Sequence, residues 1–237
     1  MGRIDVHSHL LPATDDGCDT VEESLQCARM LVGAGYSHCF CTPHAWSDRR
    51  MIARNTVPAY VAELQQSLDH AAIPLRLLPG SELNLHPKVM QTPEDKIIDL
   101  CLAGRYILVD MWAEKMPDWF EPAVRWLQAM NLTVILAHPE RMRAVQDQPT
   151  LARQFADMGI LLQGNLQCFA DRPESYTRQT AELFLTEGHY FLLGSDTHNP
   201  AGLIKRLEGL NNAIQLAGAQ TIDRLTMENP AKLLPPG

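Results

Sequence analysis

Asp5, His7 and His9 alternate within the first apolar run, "RIDVHSHLLPATDDG" (3–17), and Asp15 and Asp16 follow at once. Further along, His44 stands in "CTPHAW", Glu82 in "LLPGSEL", Asp110 in "YILVDM", His138 in "VILAHPER", and Asp196 and His198 in "FLLGSDTHN". Histidine and carboxylate without thiolate are the donor set of a catalytic Mn, Fe or Zn centre rather than of a cysteine-rich structural zinc site. His7 and His9 are two apart in an extended run, so both imidazoles point to one face and a single ion can take both. Asp196 and His198 share that spacing. The nine candidates are His7, His9, Asp16, His44, Glu82, Asp110, His138, Asp196 and His198. They exceed what one ion needs; at roughly four to six ligands each, two or three ions fit.

Each candidate closes a predicted strand or follows one closely. The expected strands are Ile4–His9, His38–Pro43, Leu75–Glu82, Tyr106–Met111, Thr133–His138, Ile160–Asn165 and Tyr190–Asp196. Between them lie amphipathic stretches: "TVEESLQCARMLVGAG", with Thr20 and Glu23 as a capping box, then "VPAYVAELQQSLDHA", "WFEPAVRWLQAM", "TLARQFADMG", "YTRQTAELFLTEG" and "GLIKRLEGLNNAIQLAG". A last helix is expected in "IDRLTMENPAKLL". Near-continuous apolar strands alternating with helices predict a parallel α/β sheet, a seven-stranded (β/α) barrel, with residues 1–237 as one domain. A doubly wound open sheet is the alternative, but no glycine-rich phosphate loop supports it. In such barrels the C-terminal strand ends converge on one face. Six of the seven expected strands therefore deliver a histidine or carboxylate to one rim, and this repetition outweighs the bland reading of any single histidine.

Composition narrows the function. The chain has 237 residues and a formal net charge of −8, with no basic run, which argues against nucleic acid as a partner. No apolar run approaches the ~20 residues of a membrane span, and the N-terminus lacks the signal-peptide pattern. The expected location is the cytoplasm. Six cysteines form no C-x-x-C pair and read as buried reduced thiols. None is followed six positions later by arginine, which excludes the C-x5-R loop of cysteine-nucleophile phosphatases.

The segments "IDVHSHLLPATDDG", "CTPHA", "GSEL", "AHPER" and "GSDTHN" resemble the motifs of the polymerase-and-histidinol-phosphatase (PHP) superfamily, and most nearly its bacterial capsule-associated, manganese-dependent protein-tyrosine phosphatases. The resemblance runs from residue 4 to about residue 200, and its most specific part is the opening followed by "EESL". It implies a distorted seven-stranded, TIM-like (PHP) barrel. It implies three metal positions: His7, His9, Glu82 and Asp196; Glu82 as a bridge with Asp110 and His138; and Asp16, His44 and His198. Manganese is the first choice, with Fe or Zn as alternatives. Arg141 matches an arginine that binds phosphate, with His44 and His198 as further catalytic candidates. Substrate would be a phosphotyrosine protein, a bacterial tyrosine kinase by implication, in the control of capsular or exopolysaccharide synthesis. Two departures stand out. Position 110 is aspartate where glutamate is usual, one methylene shorter, which would move or weaken the second metal. Position 8 is serine where cysteine is common, an exchange expected to be harmless.

The chemistry expected is phosphomonoester hydrolysis by hydroxide generated on the metals, with the metals and Arg141 neutralising the equatorial oxygens. A small-molecule phosphatase, such as one acting on histidinol phosphate, would use the same ligands. A non-catalytic metal-binding module is a third reading, against which the intact ligand set argues. Oligomeric state is not legible. His38, His70, His86 and His189 lack partners at the rim. Asp5 could be a partner of a ligand histidine or a buried structural group. Asp15 is expected to cap the turn before Gly17. Arg49, Arg50 and Arg54 could meet phosphate, with a solvated cluster favoured. The loop "MWAEKMPDWF" (111–120) either lines the substrate mouth or packs on the core.

Overall fold

The computed structural model describes residues 2–45 and 57–235. Arg49, Arg50 and Arg54 lie outside them. Nine short strands and ten α-helices alternate along the described chain. The strands are β1 (Arg3–Asp5), β2 (Tyr36–Cys41), β3 (His44–Ala45), β4 (Arg76–Pro79), β5 (Glu82–Asn84), β6 (Tyr106–Asp110), β7 (Thr133–Ala137), β8 (Leu161–Asn165) and β9 (Tyr190–Gly194). The principal helices are α1 (Val21–Gly33), α2 (Val57–His70), α4 (Phe120–Ala129), α6 (Leu151–Asp157), α7 (Tyr176–Thr186) and α8 (Pro200–Ala217); shorter ones are α3 (Glu94–Ile98), α5 (Arg143–Asp147), α9 (Ala219–Asp223) and α10 (Asn229–Ala231). All strand pairing is parallel, in one sheet of order β1-β2-β4 and another of order β3-β5-β6-β7-β8-β9.

The strand count differs from the seven expected because two expected strands are each broken in two. Pro43 has no N–H to donate, so the run 38–43 ends as β2 at Cys41 and resumes as β3 at His44. The run 75–82 breaks at Gly80–Ser81 between β4 and β5. The breaks are bridged by loop hydrogen bonds, Gly80 N–H to Cys41 O at 3.1 Å and Glu82 N–H to Pro43 O at 3.1 Å. Their consequence is functional: in the new register His44 and Glu82 are direct partners across β3 and β5.

Strand 1 is also shorter than expected, ending at Asp5, but its continuation stays between neighbours. Ser8 forms a parallel bridge with Thr197, His9 N–H donates to Thr197 O at 2.8 Å, and Thr42 N–H donates to Ser8 O at 2.8 Å. Alternate strand residues divide between two buried clusters, as a period of two requires. Ile107, Val109, Val134, Leu136 and Leu193 pack with the helices, while Leu108, Ile135, Ala137 and Leu192 join Ile4, Val6 and Phe40 on the other face. Burial on both faces explains the near-continuous apolar strands.

The helix ends are set by side chains. Thr20 Oγ1 accepts from Glu23 N at 3.2 Å, and Glu23 answers by accepting from Asp19 N at 2.9 Å, one residue earlier than a strict capping box. Asn199 caps α8 through Gly202 N at 2.8 Å, with Pro200 at its first position, so the helix starts directly after His198. The expected C-terminal helix is instead α9, a π-helical turn over Arg224–Glu228, and α10. No helix among the described residues is long and apolar enough to cross a membrane.

Candidate metal centre

The strand ends converge on a cleft of about 280 Å³ lined by Asp16, His44, Glu82, Asp110, His138, Arg141, Asp196 and His198, with Met111, Trp112, Gln167 and Arg206. His7 and His9 lie at its floor, fully buried. All nine sequence-predicted ligand positions are therefore in one place. Among the described residues, two sets have donor atoms that all fall within 4.8 Å of one another: His7, His9 and Glu82; and His9, Asp16, His44 and His198. Asp196 adjoins the first, its Oδ1 3.5 Å from His7 Nε2 and 3.3 Å from His9 Nε2. His9, expected in the first group alone, stands between the two.

Glu82 and His138 touch, Oε1 to Nε2 at 3.0 Å. Asp110 stands in the same cleft but outside the two tight sets, with its Oδ1 accepting from Asn84 Nδ2 at 3.1 Å. Burial and then the Glu82 charge push its pKa up to about 6. Arg141 donates from Nη1 to Asp196 Oδ2 at 3.1 Å, so this expected phosphate group also touches an expected ligand. Burial opposes the Arg141 cation, but Asp196 together with the further acidic groups around it, Glu140 and Glu82 among them, raises the pKa.

Two of these positions are reached through strained backbone. His138 and Asp196 have φ of 35° and 53°, in the left-handed region, and His138 is followed by Pro139, which disfavours helical backbone before it. Each turn throws its side chain off the strand end and into the cleft. Gly17 is required by contact: a Cβ there would lie 2.1 Å from His9 O.

Hydrogen bonds on the far side of each imidazole fix which nitrogen faces the cleft. Gln163 donates its amide nitrogen to Gly164 O at 2.7 Å, which leaves Oε1 to accept from His7 Nδ1–H at 2.8 Å. Asp15 Oδ2 accepts from His9 Nδ1–H at 2.6 Å, and Asp196 O accepts from His198 Nδ1–H at 2.8 Å. As neutral rings, His7, His9 and His198 then present only Nε2 lone pairs inward, and the first two are 3.3 Å apart. Two lone pairs facing each other repel unless a cation lies between them. Glu82 Oε2 tells the same story: it is buried without a hydrogen bond although His44 Nδ1, His7 Nε2 and His9 Nε2 lie 3.0, 3.2 and 3.5 Å away. Donors converging on a shared point rather than on one another suit a divalent cation.

With no metal present, protons take that role. Burial disfavours the His7 imidazolium, yet Glu82 and Asp196 outweigh burial and hold its pKa up at about 9. His9 is likewise raised well above the ordinary value, against burial, by Asp15, Asp196 and Glu82. Glu82 and Asp196 are driven down despite burial, chiefly by His7. His198 is lowered by burial and by the positive charge on His9.

The other expectations divide. Asp15 does cap the turn, accepting from Gly17 N at 3.0 Å, but it also holds His9 and accepts from His44 N at 2.9 Å. Asp5 is the buried structural group: it accepts from Ser195 N at 2.9 Å and from Ser195 Oγ, tying the first strand to the last, and burial raises its pKa. Ser8 donates to Phe40 O at 2.8 Å in place of the usual cysteine. His38 bonds Ser37, His86 bonds Lys88 N and His189 bonds Glu187, all away from the cleft. In the loop after Asp110, Met111, Ala113 and Phe120 are buried while Trp112 stands at the mouth.

Sequence reasoning missed Gln163, Asn165 and Arg206. Asn165 Nδ2 donates to Asp196 Oδ2 at 2.7 Å, and Arg206 Nε donates to Ser195 O and Asp196 O, both at 2.8 Å. The signals were present. Gln163 and Asn165 are polar residues two apart in the one expected strand that supplied no ligand. Arg206 interrupts the buried face Leu203, Leu210 and Ala213 of α8.

A model of the family "Capsular polysaccharide synthesis, CpsB/CapC" matches residues 3–235. The chain belongs to the CpsB/CapC family. It is 30% identical over 204 residues to the tyrosine-protein phosphatase YwqE of Bacillus subtilis, covering 83% of this chain and 77% of that one. It is 24% identical over 245 residues to the tyrosine-protein phosphatase CpsB of Streptococcus pneumoniae, covering 98% of each. A solved structure from work on YwqE and CpsB, described as unique metal-dependent tyrosine phosphatases, superposes with a TM-score of 0.85 at 26% identity, covering 98% of this chain and 93% of that one. A lactonase from Listeria monocytogenes shares the fold at a TM-score of 0.63 and 13% identity, covering 98% of this chain and 94% of that one.

Proposed function

We propose that this CpsB/CapC chain is a metal-dependent protein-tyrosine phosphatase acting in capsular or exopolysaccharide synthesis. The observation that carries the reading is the set of imidazoles locked with Nε2 inward around Glu82 and Asp196. The naming of YwqE and CpsB as tyrosine phosphatases supports the substrate class. Two to three ions would be held by the sets the resemblance implies: His7, His9, Glu82 and Asp196; Glu82, Asp110 and His138; and Asp16, His44 and His198. The all-N/O donor set suits Mn, Fe or Zn, and the resemblance implies manganese first. When bound, the ions supply a water activated near neutral pH and enough positive charge to offset the four carboxylates Asp16, Glu82, Asp110 and Asp196.

The chain's own groups do the rest. Arg141 keeps one N–H on Asp196 and turns its remaining donors to the phosphoryl oxygens. Asn165 and Arg206 hold Asp196 from behind, so its Oδ1 stays aimed at His7 and His9. His44 and His198 flank Asp16 at 3.4 and 3.5 Å and would act through the ion they hold with it, since the His198 Nδ1–H is already taken by Asp196 O. A phenolate needs little help, since its conjugate acid has a pKa of about 10. The substrate is a phosphotyrosine protein, and a bacterial tyrosine kinase is the partner the resemblance implies. The six cysteines, all free and buried, are consistent with a reducing cytoplasm. We read the two sheets as one distorted seven-stranded (β/α) barrel in a single domain over 1–237. The Ser8–Thr197 bridge and the two-sided burial support this.

The test is a substrate panel on manganese-loaded protein: phosphotyrosine peptides, histidinol phosphate and nucleotides, with and without chelator. Preference for phosphotyrosine, abolished by chelation, is expected. Preference for histidinol phosphate, or full activity in metal-free protein, refutes the reading.

A further inference from the structure

The cleft is polar apart from Met111 and Trp112, and only one of these reaches water. Met111 is 3% exposed, whereas Trp112 is 75% exposed, the most exposed large hydrophobic residue among those described. A lone exposed apolar side chain is ordinary, so position is what matters here. Trp112 follows Asp110 by two residues at the end of β6 and lines the same cleft as His138 and Arg141. Met111 and Ala113, both buried, fix the backbone on either side, so the residue that carries the indole is anchored at the mouth while the indole itself stays open to a ligand. A phosphoryl group seated against Arg141 must direct its ester substituent outward past this rim. An indole face there offers an aryl substituent an offset stack and offers an alkyl one much less.

We propose that Trp112 is the specificity-determining residue for aryl over alkyl phosphomonoesters, stacking on the phosphorylated phenol ring. The inference rests on the phosphatase reading above, because it takes the seat beside Arg141 as the phosphoryl site.

Benzyl phosphonate and ethyl phosphonate, neither of them hydrolysable, are the probes. Their binding to manganese-loaded wild type, Trp112→Ala and Trp112→Phe is measured by calorimetry. In Trp112→Ala the ratio of benzyl to ethyl affinity should fall about tenfold, while metal content stays constant. Trp112→Phe should recover most of the ratio. On phosphotyrosine peptides the loss should fall in KM rather than kcat. An unchanged ratio, or equal loss of both phosphonates, overturns the proposal. Wild type that favours benzyl phosphonate through Trp112 yet hydrolyses no phosphotyrosine refutes the phosphatase reading alone. Hydrolysis with an unaltered ratio refutes the Trp112 role alone, and wild type that neither binds the phosphonates nor hydrolyses phosphotyrosine refutes both.

Discussion

Metal uptake by this centre should be a competition with protons, and the size of that competition follows from His7. Metal-free, its pKa is held at about 9 by Glu82 and Asp196 against the opposing effect of burial. At pH 7 the ring is therefore a buried imidazolium, and freeing Nε2 for a metal costs about 3 kcal/mol at ~1.4 kcal/mol per pH unit. His7 alone then makes manganese affinity rise about twenty-five-fold between pH 7 and 8.5, where an ordinary histidine would change it by well under a factor of two. Stability of the metal-free protein should run the other way. A histidine whose folded pKa lies above its unfolded value stabilises fully below pH 6.5, and that contribution is lost as pH rises through about 9. Two measurements check this: two-bond proton–nitrogen NMR of the metal-free histidines from pH 6 to 10, and anaerobic manganese titration against an indicator at pH 7 to 8.5. A neutral His7 at pH 7.5, or affinity flat across that range, refutes the electrostatic argument.

Asp110→Asn should stabilise the metal-free protein while impairing metal loading. The Asp110 pKa of about 6 lies above its unfolded value, so the folded state pays for ionising it as pH rises through about 4 to 6. The neutral isostere should gain roughly 3 kcal/mol at pH 7.5 and nearly nothing at pH 4, read by thermal melts with chelator. Arg141→Ala should weaken inhibition by inorganic phosphate about tenfold. Because Arg141 also holds Asp196 Oδ2, metal affinity should fall as well, though less than in His138→Ala. Loss of metal equal to that of His138→Ala would mean Arg141 serves only to hold Asp196. Gln163→Leu, which removes the acceptor on His7 Nδ1, should lower metal affinity roughly 10–100-fold without unfolding the protein. Unchanged affinity would show that the tautomer is fixed elsewhere.

The convergence of the candidate ligands on one rim was legible because residue type and strand periodicity are local. His7 and His9 share a face by spacing alone, and His44, Glu82, Asp110, His138 and Asp196 each follow an apolar run that could only be a strand. The principal helices were legible for the same reason, with Thr20 marking the start of α1 by its cap, whereas the short α3 and α5 were not expected. The division of the second and third strands was not. Pro43 signals a break, but the re-pairing of His44 with Glu82 in a separate sheet depends on how two broken strands meet. The outer hydrogen bonds were invisible for a related reason. Gln163 reaches His7 across 156 residues of sequence, and Ser195 reaches Asp5 across 190. Such pairs follow from strand order, which residue spacing does not encode.

The left-handed turns at His138 and Asp196 were not anticipated either: histidine and aspartate tolerate this region better than most residues, but they adopt it too rarely for residue type alone to signal it, and Pro139 works against it at His138. Each costs of order 1–3 kcal/mol and persists because its surroundings over-determine it. His138 N–H is held by Gln163 O at 2.8 Å and Asp196 N–H by His7 O at 2.8 Å. The residues that take up this strain are thus those that hold His7 in place, or His7 itself. Strained backbone at His138 and Asp196, a buried His7 imidazolium and the buried carboxylates Glu82 and Asp196 share one small volume. A bound cation replaces the His7 proton and faces both carboxylates at once. The centre should therefore gain more protection on metal binding than the rest of the protein. Amide hydrogen exchange across 7–9, 137–141 and 194–198 should show that gain on adding manganese. Equal protection in both states would mean that the packed strands, and not the ion, hold the donors in place.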